Sequence, residues 1–346
     1  MPDLLVFQGL LCYITLGISQ NIKEAVKVHE DTLKAIYNAT NAITAEIGKV
    51  IIGKDDVIRK VLMSIMANGH ILLDDVPGVG KTSLAVAFGK ALGMNYNRIQ
   101  FTPDVLPSDI VGFSVFNKEK DSFTYMPGVI NDTNLLLADE INRTSSRTQA
   151  ALLEAMEEKQ VTVDGTTHPL REPFIVIATE NQVGAAGTQV LPHAQMDRFL
   201  VRLSLGYPDK DSEMKIIMLR QREDPFAAVR TIVSTDTVKN LQAATLAVTI
   251  KEPLVEYITD LIAATRSSQM TELGISPRGS IAVSHMAKAC ALINGRDYVA
   301  EEDIREVFCD VCSHRIILTQ KTRAAGTSPR DALTQIMNSV KSPYAV

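Results

Sequence analysis

The chain has 346 residues, of which 46% are hydrophobic and 22% are charged. These proportions are typical of a folded globular protein and exclude a disordered, collagen-like or disulfide-stapled chain, and the length suggests about two domains. The net charge is −5, and only 5% of the residues are aromatic, with no Trp. Because nucleic acids are bound through basic patches and aromatic stacking surfaces, we expect no nucleic-acid partner.

The apolar run at residues 4–18 is the one candidate for a targeting or membrane segment. Its length of about 15 residues is shorter than the roughly 20 needed to span a bilayer, and neither Lys nor Arg precedes it. This favours a packed helix, or translated upstream sequence, over a signal peptide or anchor, and no membrane span is expected. Residues 21–50 follow with apolar positions at helical spacing, which predicts an amphipathic helix.

From residue 70 to residue 207 short apolar runs alternate with helical stretches. Apolar runs separated by helices are typical of buried strands in a mostly parallel, doubly wound sheet. Two insertions predict β-hairpins, one at 113–126 with alternating apolar and polar residues, and one at 160–168 around Asp164-Gly165. The predicted strands are 71–73, 99–101, 135–138, 174–178 and 199–203.

Beyond residue 208 the strand pattern fades and helical patterns dominate. This predicts a small all-helical second domain. The predicted helices are 212–223, 238–246, 253–268, 278–292 and 301–318, with a loop at 325–328.

The four cysteines are too few and too scattered for a disulfide framework, which favours the cytoplasm. Cys309 and Cys312 have the spacing of metal ligands, and His314 lies close by. A structural zinc site usually needs a second pair of ligands, which only Cys290 could begin to supply. The pattern therefore favours buried helix thiols over a metal site.

The most informative segment, residues 70–84, reads HILLDDVPGVGKTSL. An apolar strand leads into a glycine-rich turn and then into a helix that begins at Lys81 and Thr82. In such a loop, backbone N–H groups surround a phosphate, the lysine reaches the β and γ oxygens, and the threonine hydroxyl binds Mg²⁺. Position 75 departs from the strict G-x-x-x-x-G-K-[ST] pattern, because it is Asp instead of Gly. The candidate nucleotide-binding residues are Asp75, Val76, Pro77, Gly78, Val79, Gly80, Lys81, Thr82 and Ser83.

Residues 134–140, NLLLADE, form a second element, an apolar strand that ends in two carboxylates. Such a pair alone is equally well explained as a helix N-terminus favoured by the helix dipole. A phosphate loop, however, requires a carboxylate for Mg²⁺ and a base for the attacking water. Together the two elements predict Asp139 and Thr82 as metal ligands and Glu140 as the catalytic base.

Three further polar residues are candidates for phosphate chemistry. Asn181 follows the strand at 174–178, at the edge where open parallel sheets bind ligands, although Asn is also common in turns there. Arg198 and Arg278 can each stabilise phosphate charge, or can equally well pair with a carboxylate or cap a helix. The residues alone leave both arginines open.

Taken together, these motifs resemble the MoxR family of AAA+ ATPases. The segments DVPGVGKT, ADEINR, TQAALLEAMEEKQVTVDG, THPL, IATEN and LPHAQMDRFL carry the resemblance over residues 51–207, and ISPRG and SHR extend it almost to the C-terminus. It implies an α/β AAA+ P-loop core with a parallel sheet between helices, followed by an all-helical lid. The implied segments are an N-terminal helical extension at 1–45, a nucleotide-binding core at 46–208, and a linker and lid at 209–346.

The same resemblance implies a role for each matching residue. ATP would lie between core and lid, and a neighbouring subunit would complete the site. Ile52 and Gly53 match the segment that packs against adenine, and the two predicted hairpins match insertions that face the pore of a ring. The remaining matches are Lys81 and Thr82 to Walker A, Asp139 and Glu140 to Walker B, Asn181 to sensor 1, Arg198 to an arginine finger acting on the neighbour's ATP, and Arg278 to sensor 2.

The activity implied is Mg²⁺-dependent ATP hydrolysis that drives chaperone-like remodelling, or metal- or cofactor-linked maturation, of a client protein. A hexameric homo-oligomer and partners with von Willebrand A domains are implied as well. The alternatives are a magnesium-chelatase-like subunit or nucleic-acid motor of the same clade, and a nucleotide-dependent scaffold with little hydrolysis. Residues 182–193 depart from the family pattern by lacking several carboxylates and two prolines, which bears on contacts between subunits.

Overall fold

The structure is a computed structural model that describes residues 30–119, 121–181, 191–221 and 225–344. Its strands are β1 (Ile71–Asp75), β2 (Tyr96–Gln100), β3 (Phe113–Asn117), β4 (Ser122–Met126), β5 (Leu135–Asp139), β6 (Gln160–Val163), β7 (Thr166–Pro169), β8 (Ile175–Asn181), β9 (Val201–Leu203), β10 (Thr271–Leu273) and β11 (Ile317–Leu318). Its helices are α1 (Glu30–Gly48), α2 (Asp55–Met66), α3 (Lys81–Ala91), α4 (Pro107–Val111), α5 (Ser146–Glu158), α6 (His193–Met196), α7 (Lys210–Arg220), α8 (Thr235–Ala247), α9 (Glu252–Ser267), α10 (Pro277–Ile293), α11 (Glu301–Cys312), α12 (Gln320–Ala324) and α13 (Pro329–Ser339).

A parallel sheet forms the centre of the described chain, with five strands in the order β2-β5-β8-β1-β9. Every residue of β1 and β5 is buried, as expected of a parallel sheet covered on both faces. The predicted fold class, a parallel sheet between helices followed by a helical lid, is confirmed. Strand β2 begins three residues before the predicted run at 99. The apolar pattern missed this start because β2 is an edge strand whose first residues are polar and half-exposed.

The two faces of the sheet belong to two hydrophobic clusters. Ile71 and Leu73 face the cluster that contains α1, α2, α3 and the lid helices. Leu72 faces the cluster formed with α5. Because successive side chains of a strand point to opposite faces, one strand contributes to both clusters.

Both predicted hairpins are present. Strands β3 and β4 pair antiparallel, as do β6 and β7. At the tip of the second hairpin Asp164 has φ 49° and Gly165 has φ 77°, which is the left-handed pair of a type I′ turn.

The lid is helical, but it also contains a two-stranded ribbon that the sequence did not predict. The predicted helix 301–318 ends at Cys312, and Ile317 and Leu318 pair with β10 instead. The thiols of Cys309 and Cys312 are buried on α11. His314 donates from Nε2 to the main-chain oxygen of Phe199 at 3.0 Å, so its imidazole serves packing between the lid and the core.

Some sequence predictions fall outside the described residues, namely the apolar run at 4–18 and residues 182–190 of the divergent segment. Among the helices of the described residues, none is both long and apolar enough to cross a bilayer. Helix α1 continues across the position between residues 45 and 46, and the segment boundaries stay predictions.

Candidate active site

The loop between β1 and α3 has the backbone conformation that its glycines allow. Gly78 has φ 86° and Gly80 has φ 99°, a region that is strained for residues with a Cβ. Helix α3 begins at Lys81, directly after Gly80, which has no side chain to cap it. Its first-turn N–H groups therefore point toward the loop, as in an anion site at a helix N-terminus.

Lys81 lies between the ends of two neighbouring strands. Its Nζ donates to the main-chain oxygens of Asp75, the last residue of β1, and of Glu180, near the end of β8, both at 2.9 Å. The side chain is buried, and this burial lowers the pKa of Lys81 despite the opposite effect of nearby carboxylates. The lysine is thus held at the carboxyl edge of the sheet.

The carboxylate of Asp75 does not face the phosphate loop. It accepts hydrogen bonds from Ser204 Oγ at 2.7 Å and from the N–H groups of Leu205 and Gly206 at 2.6 and 3.0 Å. Nucleotide binding by Asp75 therefore stays a prediction that concerns its main chain. The side chain anchors the chain beyond β9 to the base of the loop, and the main-chain oxygen contacts Lys81.

Asp139 and Glu140 share one anchor, the buried hydroxyl of Thr179 on β8. This hydroxyl donates to Asp139 Oδ1 at 2.6 Å and accepts from the Glu140 N–H at 2.9 Å. The second carboxylate oxygen of Asp139 is 2.7 Å from a guanidinium nitrogen of Arg98. The hydroxyl on β8 therefore fixes the Asp139 carboxylate and the Glu140 main chain, both at the end of the adjacent strand β5.

Glu140 has a left-handed backbone, with φ 56° and ψ 48°. Non-glycine residues in this region are uncommon and cluster at functional sites. Its Oε2 accepts from Arg143 at 2.7 Å and from Gln100 Nε2 at 2.9 Å. Sequence reasoning missed Thr179, Gln100 and Arg98, because only the alignment of strands β2, β5 and β8 brings them to the acidic pair.

Asn181 lies at the end of β8, in register with Asp75 of β1. This places the residue at the carboxyl edge beside the phosphate loop, as predicted from the sequence. Thr82 is the second residue of α3 and so belongs to the same edge.

Glu180 was also missed in the sequence, although it lies next to Asn181. Burial raises the pKa of Glu180 to about 7, and the negative charge of Asp74 acts in the same direction, while Arg202 and Lys81 act against it. Asp74 is its register partner on β1 and pairs with Arg202 of β9. A carboxyl group that titrates near neutrality therefore borders the lysine.

Ile52 borders a cavity of about 610 Å³ whose other wall is α7. Gly53 has φ 72°, and a Cβ on it would lie 2.2 Å from Ser212 Oγ at the start of α7. The two predicted adenine-contact residues therefore lie where the segment before α2 meets α7. The remaining lining residues are Lys215, Met218, Leu219 and Gln221.

Arg198 and Arg278 lie at the other end of the strands, near the residues that precede β1. Both pair with Glu157 at the end of α5, Arg198 through Nε at 2.8 Å and Arg278 at 2.9 Å. The segment that carries Arg198 lies beside the residue that precedes β1, because the N–H of Leu200 donates to the main-chain oxygen of His70 at 2.8 Å. The five residues of β1, about 16 Å of extended chain, separate this edge from the phosphate loop. Arg278 is therefore distant from the phosphate loop of its own chain, and its role as sensor 2 stays a prediction.

The sequence and the fold of this chain are similar to those of known proteins. Residues 70–201 match the ATPase family associated with various cellular activities (AAA), and residues 263–336 match the AAA lid domain. YeaC, an uncharacterized protein of Bacillus subtilis, is 43% identical over 86% of this chain and 92% of its own. Chaperone MoxR1 of Mycobacterium tuberculosis is 36% identical over 86% of this chain and 81% of its own. A crystal structure from Cytophaga hutchinsonii, provisionally described as an ATPase, is 40% identical, with a TM-score of 0.83 over 90% of this chain and 97% of its own.

Proposed function

The chain belongs to the MoxR family of AAA ATPases, and from this premise we propose that it hydrolyses ATP and uses the cycle to remodel a partner protein. The observation that carries the proposal is the convergence of three strand ends on one edge of the sheet. Strands β1 and β8 hold Lys81 through main-chain oxygens, and the Thr179 hydroxyl of β8 holds Asp139 and Glu140. A loop for phosphate and an acidic pair for water are thereby fixed side by side.

Mg²⁺ fits the donors at this edge. A carboxylate oxygen of Asp139 and the hydroxyl of Thr82 are the hard oxygen ligands that this ion prefers. When bound there with ATP, the ion would supply neutralisation of phosphate charge.

The residues of this chain then have distinct roles in the proposed reaction. The first-turn N–H groups of α3 and the Lys81 ammonium bind the triphosphate and stabilise the charge on its terminal group. Glu140 orients a water and accepts its proton through a carboxylate oxygen. Gln100 and Arg143 hold that carboxylate at 2.9 and 2.7 Å, which limits the number of orientations available to the base.

We further propose that the chain works as a ring, hexameric by resemblance. This proposal is supported by the placement of Arg198 and Arg278. Within one chain, both lie near the amino end of β1, whereas the phosphate loop follows its carboxyl end. A second copy could bring these guanidinium groups to the terminal phosphate, where a trans arginine accelerates hydrolysis by about 10³ or more.

For the client, the proposal is chaperone-like remodelling, with metal- or cofactor-linked maturation and von Willebrand A domain partners as more specific forms. The name of the Mycobacterium tuberculosis relative, a chaperone, supports the general role. The β3–β4 hairpin supports it too, because Phe116 and Phe123 pack edge to face at 5.4 Å while Phe123 is 73% exposed. Exposed apolar residues of this kind are typical of protein-binding surfaces.

The test compares phosphate release and ATP retention by the wild type, Glu140→Gln and Glu154→Gln. Glu154 is an exposed residue of α5 and controls for loss of one carboxylate. We expect Glu140→Gln to retain ATP but to release phosphate about 10² or more times slower, and Glu154→Gln to behave like the wild type. Equal background rates in all three proteins would contradict hydrolysis and favour a nucleotide-dependent scaffold.

A further inference from the structure

Glu157 holds both candidate arginines with a single carboxylate. Its Oε2 is 2.8 Å from Nε of Arg198, and its Oε1 is 2.9 Å from a terminal nitrogen of Arg278. The two arginines come from different parts of the chain, one just before β9 and the other in the first turn of α10. Glu157 therefore joins a core residue and a lid residue through one anionic group.

The charges around this carboxylate are mostly positive. Burial alone would raise the pKa of Glu157, but its hydrogen bonds to Arg198 and Arg278 outweigh that effect and lower it. The three groups border a cavity of about 230 Å³ that is also lined by Lys159 and Arg315. Arg315 is already paired with Asp197, so Glu157 is the carboxylate that compensates the other two guanidinium groups.

All three side chains remain partly open to solvent, with exposed fractions of 38% for Glu157, 32% for Arg198 and 45% for Arg278. Ion pairs with this exposure are weak and readily exchanged. Guanidinium groups bind carboxylate and phosphate with the same fork geometry, and a triphosphate carries the greater charge. An incoming phosphate group can therefore replace the carboxylate on both arginines.

We infer that Glu157 is an internal substitute for the terminal phosphate of a neighbouring copy's ATP, holding Arg198 and Arg278 as a pair until that phosphate displaces it. The inference rests on the proposed function and adds a regulatory contact to it. After the exchange the carboxylate lies beside the phosphate and repels it. Glu157 thus opposes nucleotide-dependent assembly, and neutralising it strengthens assembly.

The test isolates one interface by using two kinds of full-length chain. The donor carries Glu140→Gln to retain ATP, and Arg198→Ala with Arg278→Ala to disable its own arginine edge. The acceptor carries Lys81→Ala, so that it offers arginines but binds no nucleotide. Acceptors with Glu157→Gln, with Glu158→Gln or with neither change are titrated onto ATP-loaded donor, and the dissociation constant is measured. Glu158 is the exposed neighbour on α5 and gives the same charge change.

We expect Glu157→Gln to lower the dissociation constant about fivefold, the upper contribution of one exposed charge, and Glu158→Gln to leave it within about twofold. Adding Arg198→Ala and Arg278→Ala to the Glu157→Gln acceptor should abolish this advantage, which a purely structural role of Glu157 would not predict. Equal or weaker binding by the Glu157→Gln acceptor overturns the inference, as does an ATP-loaded donor that binds no acceptor. Failure of the donor to retain ATP, measured separately, would instead contradict nucleotide binding by the loop.

Discussion

Arg315 donates from Nε to Asp197 Oδ1 at 2.7 Å, and so the lid grips the residue directly before Arg198. The same guanidinium donates to the main-chain oxygens of Phe199 at 2.7 Å and Leu200 at 3.1 Å. The Arg315 side chain is only 3% exposed. The lid thereby fixes the position of the core segment that carries one of the two candidate arginines.

The first prediction concerns this contact. Arg315→Met removes one member of a buried ion pair and takes the donor away from the Asp197 carboxylate and the Leu200 carbonyl, whereas the Phe199 carbonyl keeps its hydrogen bond from His314. We expect the free energy of unfolding to fall by about 2–4 kcal/mol. Arg315→Lys should restore little of it, because an ammonium cannot reproduce the fork of a guanidinium. The measurement is urea unfolding.

Arg323→Met is the matched control, because Arg323 is exposed on α12. It should change the free energy of unfolding by about 0.5 kcal/mol or less. An Arg315→Met protein as stable as this control would show that the contact contributes nothing to joining lid and core.

The second prediction concerns the adenine side of the site. In Gly53→Ala the new Cβ would meet Ser212 Oγ at 2.2 Å while φ is 72°, so the segment next to Ile52 must shift. We expect weaker ATP binding, by about tenfold, and a loss of about 1–3 kcal/mol in the free energy of unfolding. Nucleotide titration and urea unfolding measure the two effects.

Gly165→Ala is the control that separates backbone strain from displacement of a neighbouring segment. Gly165 has φ 77° at the tip of the β6–β7 hairpin, and a Cβ added there would meet nothing within 4 Å among the described residues. This variant should lose about 1 kcal/mol of stability through backbone strain and bind ATP as the wild type does. Equal ATP affinity in both alanine variants would argue against a nucleotide contact at residues 52–53.

The third prediction is a pH dependence from Glu180. Its pKa is about 7 in the folded chain against 4.5 ordinarily, so between these values the folded state holds a proton that the unfolded state has lost. The free energy of unfolding contributed by this group therefore falls as pH rises through that window. Glu180→Gln removes this loss of stability. In the absence of nucleotide, the free energy of unfolding of the variant relative to the wild type should therefore rise by about 2 kcal/mol from about pH 5 to about pH 8.

Urea unfolding at the two pH values measures this difference, with Glu158→Gln as the control at an exposed carboxylate. The control should shift little with pH. A Glu180→Gln effect that is the same at both pH values would mean that Glu180 is ionised throughout.

The sequence predicted those parts of the fold and site that depend on local pattern. Buried strands such as β5 are continuous apolar runs, and the glycine turn before Lys81 is a contiguous motif, so both can be identified from the chain alone. The pairing of Glu157 with Arg198 and Arg278 joins residues 41 and 121 positions apart. No spacing rule reports such a contact, because it depends on how the lid packs against the core.

The features that the sequence did not predict have the same origin. Asp75 lies inside the phosphate-loop motif, yet its carboxylate bonds to the N–H of Gly206, which lies 131 residues later in the chain. The pattern at 301–318 remains apolar enough for a helix, but Ile317 and Leu318 find partners on β10. Tertiary partners decided both cases, and neither partner is visible in the local sequence.

The last prediction concerns Thr179, which anchors the acidic pair. Thr179→Val keeps the shape of the side chain but removes the hydroxyl that bonds to Asp139 Oδ1 and to the Glu140 N–H. A buried carboxylate oxygen and a main-chain N–H then lose a partner, so we expect a loss of about 1–3 kcal/mol in the free energy of unfolding. Because Asp139 and Glu140 are no longer aligned, steady-state ATP turnover should fall about tenfold or more.

Thr179→Ser is the conservative control, since it retains the hydroxyl and loses only a methyl group. It should keep most of the turnover, whereas Thr179→Val should not. The comparison is made at saturating ATP, so that a change in turnover is not confused with a change in nucleotide affinity. If the valine and serine variants hydrolyse ATP at the same rate, the hydroxyl does not position the acidic pair, and the alignment of Asp139 and Glu140 must come from the strand ends alone.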